Sequence, residues 1–227
     1  MSQAIKLIAL DLDGVLVKYA GKTTLTETSF DTDSFNHVVS LARQHGISIS
    51  AQRDSYTHAG ADFVIDSVIE WNSQLQGYFN INAEFYDSAG LLANQGNYLV
   101  LSAFDTESTL RQFVKHLHSE SKNRFSAVIV PNPTNEFPYC EISLYRVTNW
   151  HGLSHLAEYF NITADNVCAV GDQLNDLPMV QGASHGVAMG NAHDDLKAVA
   201  NFICGKHDED GLLDVVNYIR NHNSDHE

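Results

Sequence analysis

Four aspartates in this chain fall at the ends of short apolar runs, where carboxylates are costly to bury unless something cationic joins them. Asp11 and Asp13 close the run Ile5-Lys6-Leu7-Ile8-Ala9-Leu10. They lie two residues apart, so an extended backbone aims both side chains the same way, and Gly14 lets the chain turn behind them. Asp172 and Asp176 follow a second run, Cys168-Ala169-Val170-Gly171, with Asn175 beside Asp176. Four carboxylates at adjacent strand ends form a hard oxygen site. Such a site suits Mg2+, which takes few protein ligands and keeps room for water and phosphate oxygens.

The elements that must position these side chains follow from periodicity. Ile5 to Leu10 carries leucine and β-branched side chains on both faces, as in a central strand of a parallel sheet covered on both sides. Ligands bind beyond the carboxyl ends of such strands. Val17 to Phe30 reads as a loop or short hairpin, which makes Lys18 and Lys22 neighbours of the first strand end, although both also read as ordinary solvated lysines. Asp31-Thr32-Asp33-Ser34 supplies N-cap chemistry, and Phe35, Val38, Val39 and Ala42 recur at helical spacing up to Gly46, predicting a first crossover helix. Ile47 to Arg53 then reads as the second parallel strand, with Arg53 at its polar end, and His58 to Gln76 as a second helix.

A central segment, 94–144, has its own order: strand (98–104), helix (105–117) and two strands (125–130 and 139–144). We therefore expect a doubly wound parallel α/β core from 1–93 and 145–227, with 94–144 as a small inserted α+β domain. Further strands are expected at 168–170, 186–189 and 202–204, with helices after Asn149, after Asn191 and over 212–219, and a frayed tail from Asn221. His116 and His118, two apart on a helix, face different ways, and His151 and His155 have no third ligand nearby in sequence. No metal role is expected of either pair.

Composition narrows the partners. A net charge of −15 over 227 residues argues against a nucleic-acid or anionic-membrane surface. Cys140, Cys168 and Cys204 are far apart and lie in apolar runs, as reduced core residues of a cytoplasmic protein would. No apolar stretch approaches the roughly 18 residues of a membrane span, and the start of the chain has no long apolar run of a signal peptide. The oligomeric state and the identity of the substrate are left open.

Taken in order, Asp11-Leu12-Asp13-Gly14, Gly171-Asp172 with Asn175-Asp176, Val187-Ala188-Met189-Gly190-Asn191-Ala192 and Asp208-Glu209-Asp210-Gly211 resemble the haloacid dehalogenase superfamily, in its Cof-type phosphatase branch. The resemblance implies a Mg2+-dependent phosphomonoester hydrolase acting on a small phosphorylated metabolite, and it makes the inserted domain a cap. Asp11 would be the nucleophile and Asp13 the acid and base. Asp11, Asp13, Asp172 and Asp176 would hold the metal, and Arg53, Asn149, Asn175 and Asn191 would face substrate or phosphate.

Two positions depart from the family pattern. Where the family carries a serine or threonine this chain has Ala51, and where it carries a lysine this chain has Asn149. The alternative reading is therefore a catalytically impaired member that binds metal and a phosphorylated ligand.

Overall fold

The computed structural model describes residues 3–10, 17–20, 23–53, 63–66, 68–71, 73, 76–77, 80, 86–87, 97–131 and 138–224. The chain forms two compact units, one from 1–27 with 147–227 and the other from 28–146. The boundaries expected from sequence lie near 94 and 144, and this second unit runs from Thr28 to Arg146. The second unit begins 66 residues earlier and takes in the helix and strand that were expected in the parallel core.

The first unit starts with strand β1 (Leu7–Leu10) and an antiparallel hairpin of β2 (Val17–Ala20) and β3 (Thr23–Glu27), as the threonine-rich stretch suggested. The chain then enters the second unit. Helix α1 (Thr32–Gln44) is capped by Asp31, whose carboxylate accepts the Ser34 N–H at 2.7 Å. These hydrogen bonds, first among the causes, hold the Asp31 carboxyl below its usual range. Strands β4 (Ser48–Arg53), β5 (Phe63–Ile65), β6 (Tyr86–Asp87) and β7 (Tyr98–Phe104) follow, then helix α2 (Glu107–Ser121) and strands β8 (Phe125–Val130) and β9 (Tyr139–Leu144). They form one sheet in the order β6-β5-β4-β7-β9-β8, in which β4 runs antiparallel to both of its neighbours.

The expected parallel strand over 47–53 thus pairs antiparallel on both sides, in a sheet whose β5–β6 pair is parallel, and the reason lies in its alternation. Ile47, Ile49 and Ala51 are fully buried in one cluster with Leu101, Ala103, Cys140 and Ile142, beneath Phe35, Val38 and Ala42 of α1 and Leu110, Phe113 and Leu117 of α2. Ser48, Ser50 and Gln52 take the opposite face. Period-two patterning with one helix-covered face is antiparallel behaviour, whereas a strand of a parallel core is apolar on both faces. The expected helix over 58–76 is corrected in the same way at Phe63–Ile65, which pairs with β4. Arg43 of α1 closes this unit with a bidentate bond from Nε and Nη2 to the buried Asp66 carboxylate, 2.7 Å each. That hydrogen bond raises the Arg43 pKa.

The chain returns to the first unit with α3 (Asn149–Tyr159), β10 (Val167–Gly171), α4 (Leu177–Gly182), β11 (His185–Ala188), α5 (Asp194–Val199), β12 (Phe202–Ile203) and α6 (Gly211–Ser224). Here the sheet is parallel, in the order β1-β10-β11-β12. Leu153, Ala157 and Met179 cover one face, and Leu196 and Val215 belong to the core of the other. Among the described strands β1 stands at the edge, not the centre, with Ile8 49% and Leu10 44% exposed. The strand expected beside it is the one taken by the other sheet.

The tail also differs from expectation. Helix α6 runs on to Ser224, and the Asn223 side-chain amide grips both backbone groups of Ile5, accepting its N–H at 2.7 Å and donating to its carbonyl at 3.1 Å. Asn166 holds the neighbouring Ala4 carbonyl at 2.7 Å. The residues that lead into β1 are fastened from two sides.

Candidate active site

The carboxyl end of β10 carries the second pair of aspartates. After Gly171 the chain leaves the sheet, and the Gly171 carbonyl still accepts the Met189 N–H at 3.0 Å. Asp176 then folds back, fully buried, and its Oδ2 accepts the backbone N–H of Asp172 at 2.9 Å and of Gln173 at 3.0 Å. This return passes directly over Gly171. A β-carbon there would come within 2.7 Å of the Asp176 carboxylate, so the residue before the acid must be glycine.

Asp172 itself is only half-buried. Its backbone carbonyl accepts the His193 N–H at 3.0 Å, and its Oδ2 accepts from Asn191 Nδ2 at 3.1 Å. Asn149 is the first residue of α3, whose N-cap is Thr148, and its Nδ2 donates to Asp176 Oδ1 at 3.2 Å. The structure therefore brings together Asp172, Asn175, Asp176, Asn149 and Asn191 around one loop. Arg53 ends β4 in the second unit, half-buried, where the register against β7 shifts. Asp11 and Asp13 follow β1, the parallel neighbour of β10, and lie outside the described residues, as does Lys22.

Among the described residues Asn175 Oδ1 is buried and has no hydrogen-bond partner. A carbonyl oxygen in that condition invites a donor or a cation, because an unsatisfied buried acceptor is costly. The Asp172 carboxylate belongs to the same loop, and both are hard oxygen donors of the type that suits Mg2+. Among the described residues no three carboxylate, imidazole or thiol groups converge on one point. No helix among them is long and apolar enough to cross a membrane.

Sequence reasoning missed the backbone donors of Gln173, His193 and His207, since every residue but proline carries an N–H and its direction is set by the turn. The one legible signal was Gly171, four residues before Asn175 and five before Asp176.

The model of the haloacid dehalogenase-like hydrolases matches residues 2–216. The chain belongs to that family, in its Cof-type branch. It is 37% identical to phosphatase YwpJ of Bacillus subtilis over 79 residues, which is 35% of this chain and 28% of YwpJ. It is 24% identical over 194 residues to YitU of the same organism, a 5-amino-6-(5-phospho-D-ribitylamino)uracil phosphatase, with 82% of this chain and 65% of YitU covered. The chain thus spans less than two thirds of the length of these relatives. Among solved structures it superposes on BT1666 of Bacteroides thetaiotaomicron, a phosphatase of the haloalkanoate superfamily, with a TM-score of 0.74 over 95% of both chains at 16% identity. At that identity the likeness speaks for the fold.

Proposed function

We propose that this protein is a Mg2+-dependent phosphatase that hydrolyses a small phosphorylated metabolite, of sugar-phosphate type, through an aspartyl-phosphate. The observation that carries the reading is the loop after β10, where Asp172 and the unpartnered Asn175 oxygen sit at a parallel strand end. Membership of the family and the phosphatases among its relatives support it, and the phosphoribityl group in the name of YitU's substrate suggests the substrate type.

In this reading Asp11 attacks phosphorus in line and the alcohol leaves with a proton from Asp13. Asp13 then takes a proton from water, which attacks the aspartyl-phosphate and frees Asp11. Asp11, Asp13 and Asp172 would hold the ion, with Asn175 near it. A bound Mg2+ supplies charge neutralisation at the phosphoryl oxygens. For Asp176 the sequence left two roles, coordination through water or holding Asp172 in place, and its bonds to the Asp172 and Gln173 N–H groups favour the second. Both of its oxygens already accept N–H donors, so it holds the Asp172 backbone in place. A phosphorylated small molecule is the partner, and three buried thiols suit a cytoplasmic setting.

A second reading has its own observation. Asn149, at the position of the family's lysine, spends an amide hydrogen on Asp176, and Ala51 lies in β4, which pairs antiparallel on both sides. Loss of one preorganised donor typically costs about 10²–10³ in rate, so the protein could bind a phosphorylated ligand with little turnover. Phosphate release from a panel of phosphomonoesters with Mg2+ separates the two. We expect wild type to turn over and Asp11→Asn to lose activity by at least about 10³-fold. An inert wild type that gains activity on Asn149→Lys establishes the binding reading instead, and an Asp11→Asn variant as active as wild type sinks the phosphatase mechanism.

A further inference from the structure

The Asn191 side chain has both ends engaged. Its Oδ1 accepts the backbone N–H of His207 at 3.1 Å, and its Nδ2 donates to Asp172 Oδ2 at 3.1 Å. Because a backbone N–H can only donate and a carboxylate only accepts, these partners leave one orientation of the amide. We propose that Asn191 is a positioning residue for Asp172, oriented by the loop 205–211, and not a contact to the substrate phosphate. The inference rests on Asp172 being a metal ligand, as proposed above.

The loop is well suited to hold an amide still. Lys206 O accepts the N–H groups of Glu209 at 3.1 Å and Gly211 at 3.0 Å, and Gly205 O accepts the Gly190 N–H at 3.1 Å. The Gly205 N–H is bound by Asp214 Oδ2 at 2.9 Å. Gly211 lies against Gly205 so closely that a β-carbon on Gly211 would drive into the Gly205 carbonyl. This tight turn delivers the His207 N–H to Asn191. Asn191 in turn holds Oδ2 of Asp172, while the His193 N–H fixes the Asp172 backbone.

The consequence is a metal ligand whose rotamer is set before the metal arrives. Removing an outer partner of a metal ligand typically costs about 10–100-fold in metal affinity. Asn191 is exposed, so its loss should leave the stability of the fold nearly unchanged.

The test is Mg2+ binding to the full chain without substrate, by calorimetry, for wild type, Asn191→Ala, Asn191→Leu and Asp172→Asn. Melting temperature in chelator and binding of inorganic phosphate at saturating Mg2+ are read in parallel. We expect the Mg2+ Kd of both Asn191 variants to rise by about 10–100-fold, with melting temperature and phosphate affinity close to wild type. Unchanged Mg2+ affinity with weakened phosphate binding makes Asn191 a substrate contact and overturns the proposal. A lowered melting temperature with unchanged Mg2+ affinity makes it merely structural, with the same result. If Asp172→Asn itself leaves Mg2+ affinity unchanged, the active-site reading falls first and the proposal with it.

Discussion

Asp66 in the second unit and Asp176 in the first are both fully buried, and they are held by different chemistry. Asp66 meets the Arg43 guanidinium through two 2.7 Å bonds and accepts the Val68 N–H at 3.2 Å. Charge meets charge, and the pair ties α1 to the segment after β5. Asp176 accepts from dipoles, two backbone N–H groups and the Asn149 amide among them. They shape a loop at the end of a parallel strand. The contrast teaches that burial of an aspartate does not by itself mark function, and that its partners and its place on the sheet do. Asp66 closes a structural clamp, whereas Asp176 organises the residues beside it.

Breaking the clamp should give the largest effect. Asp66→Ala leaves the half-buried Arg43 without its counter-charge and the Val68 N–H without its acceptor, and we expect a loss of about 3 kcal/mol in urea denaturation. Trp71 is a convenient reporter, since its Nε1 donates to the Asp66 carbonyl at 3.0 Å. The double variant Arg43→Met with Asp66→Leu should recover most of that loss, because an apolar pair needs no compensation. Failure to recover would mean that the ion pair does more than pay for its own burial.

The matching change in the first unit is Gly171→Ala, which pushes a methyl group against the Asp176 carboxylate. An overpacking cost of about 1–3 kcal/mol is expected, together with weaker Mg2+ binding as the loop shifts. Equal Mg2+ affinity in this variant would argue that the Asp176 return does not shape the site.

A smaller effect is expected at the α1 N-cap. Asp31→Ala should cost about 1 kcal/mol at neutral pH. Because the folded-state carboxyl lies below its ordinary 3.8, this contribution is complete above about pH 4 and is lost as the pH falls through the folded value. The difference between wild type and variant should therefore vanish in strong acid. The smallest response belongs to the thiols. Burial pushes Cys168 up to about 11 and raises Cys140 and Cys204 as well, so native protein at pH 8 should resist iodoacetamide, as read by mass spectrometry.

Much of this molecule was legible in the chain. The helix over 32–44, the strand-helix-strand-strand order after 98 and the parallel strand into Gly171 all carry local patterns strong enough to survive tertiary context. Ile47 to Arg53 shows where local reading stops. A helix followed by a short apolar strand resembles a parallel crossover, but Ser48 and Ser50 alternate with Ile47, Ile49 and Ala51, and the neighbours available to β4 are antiparallel.

The kinds of chemistry present are written in the chain: carboxylates after apolar strands, glycine where a chain must turn back, amides at Asn149, Asn175 and Asn191, and the family to which these belong. Which sheet receives β4, which oxygen of Asp172 meets Asn191 and what Asn149 holds emerge only in the folded chain. The physical reason is range. Propensity and periodicity act over a few residues, whereas Asn191 reaches Asp172 across 19 positions, the His207 N–H reaches Asn191 across 16, and Asn149 reaches Asp176 across 27. Those partners exist only once the strands have paired.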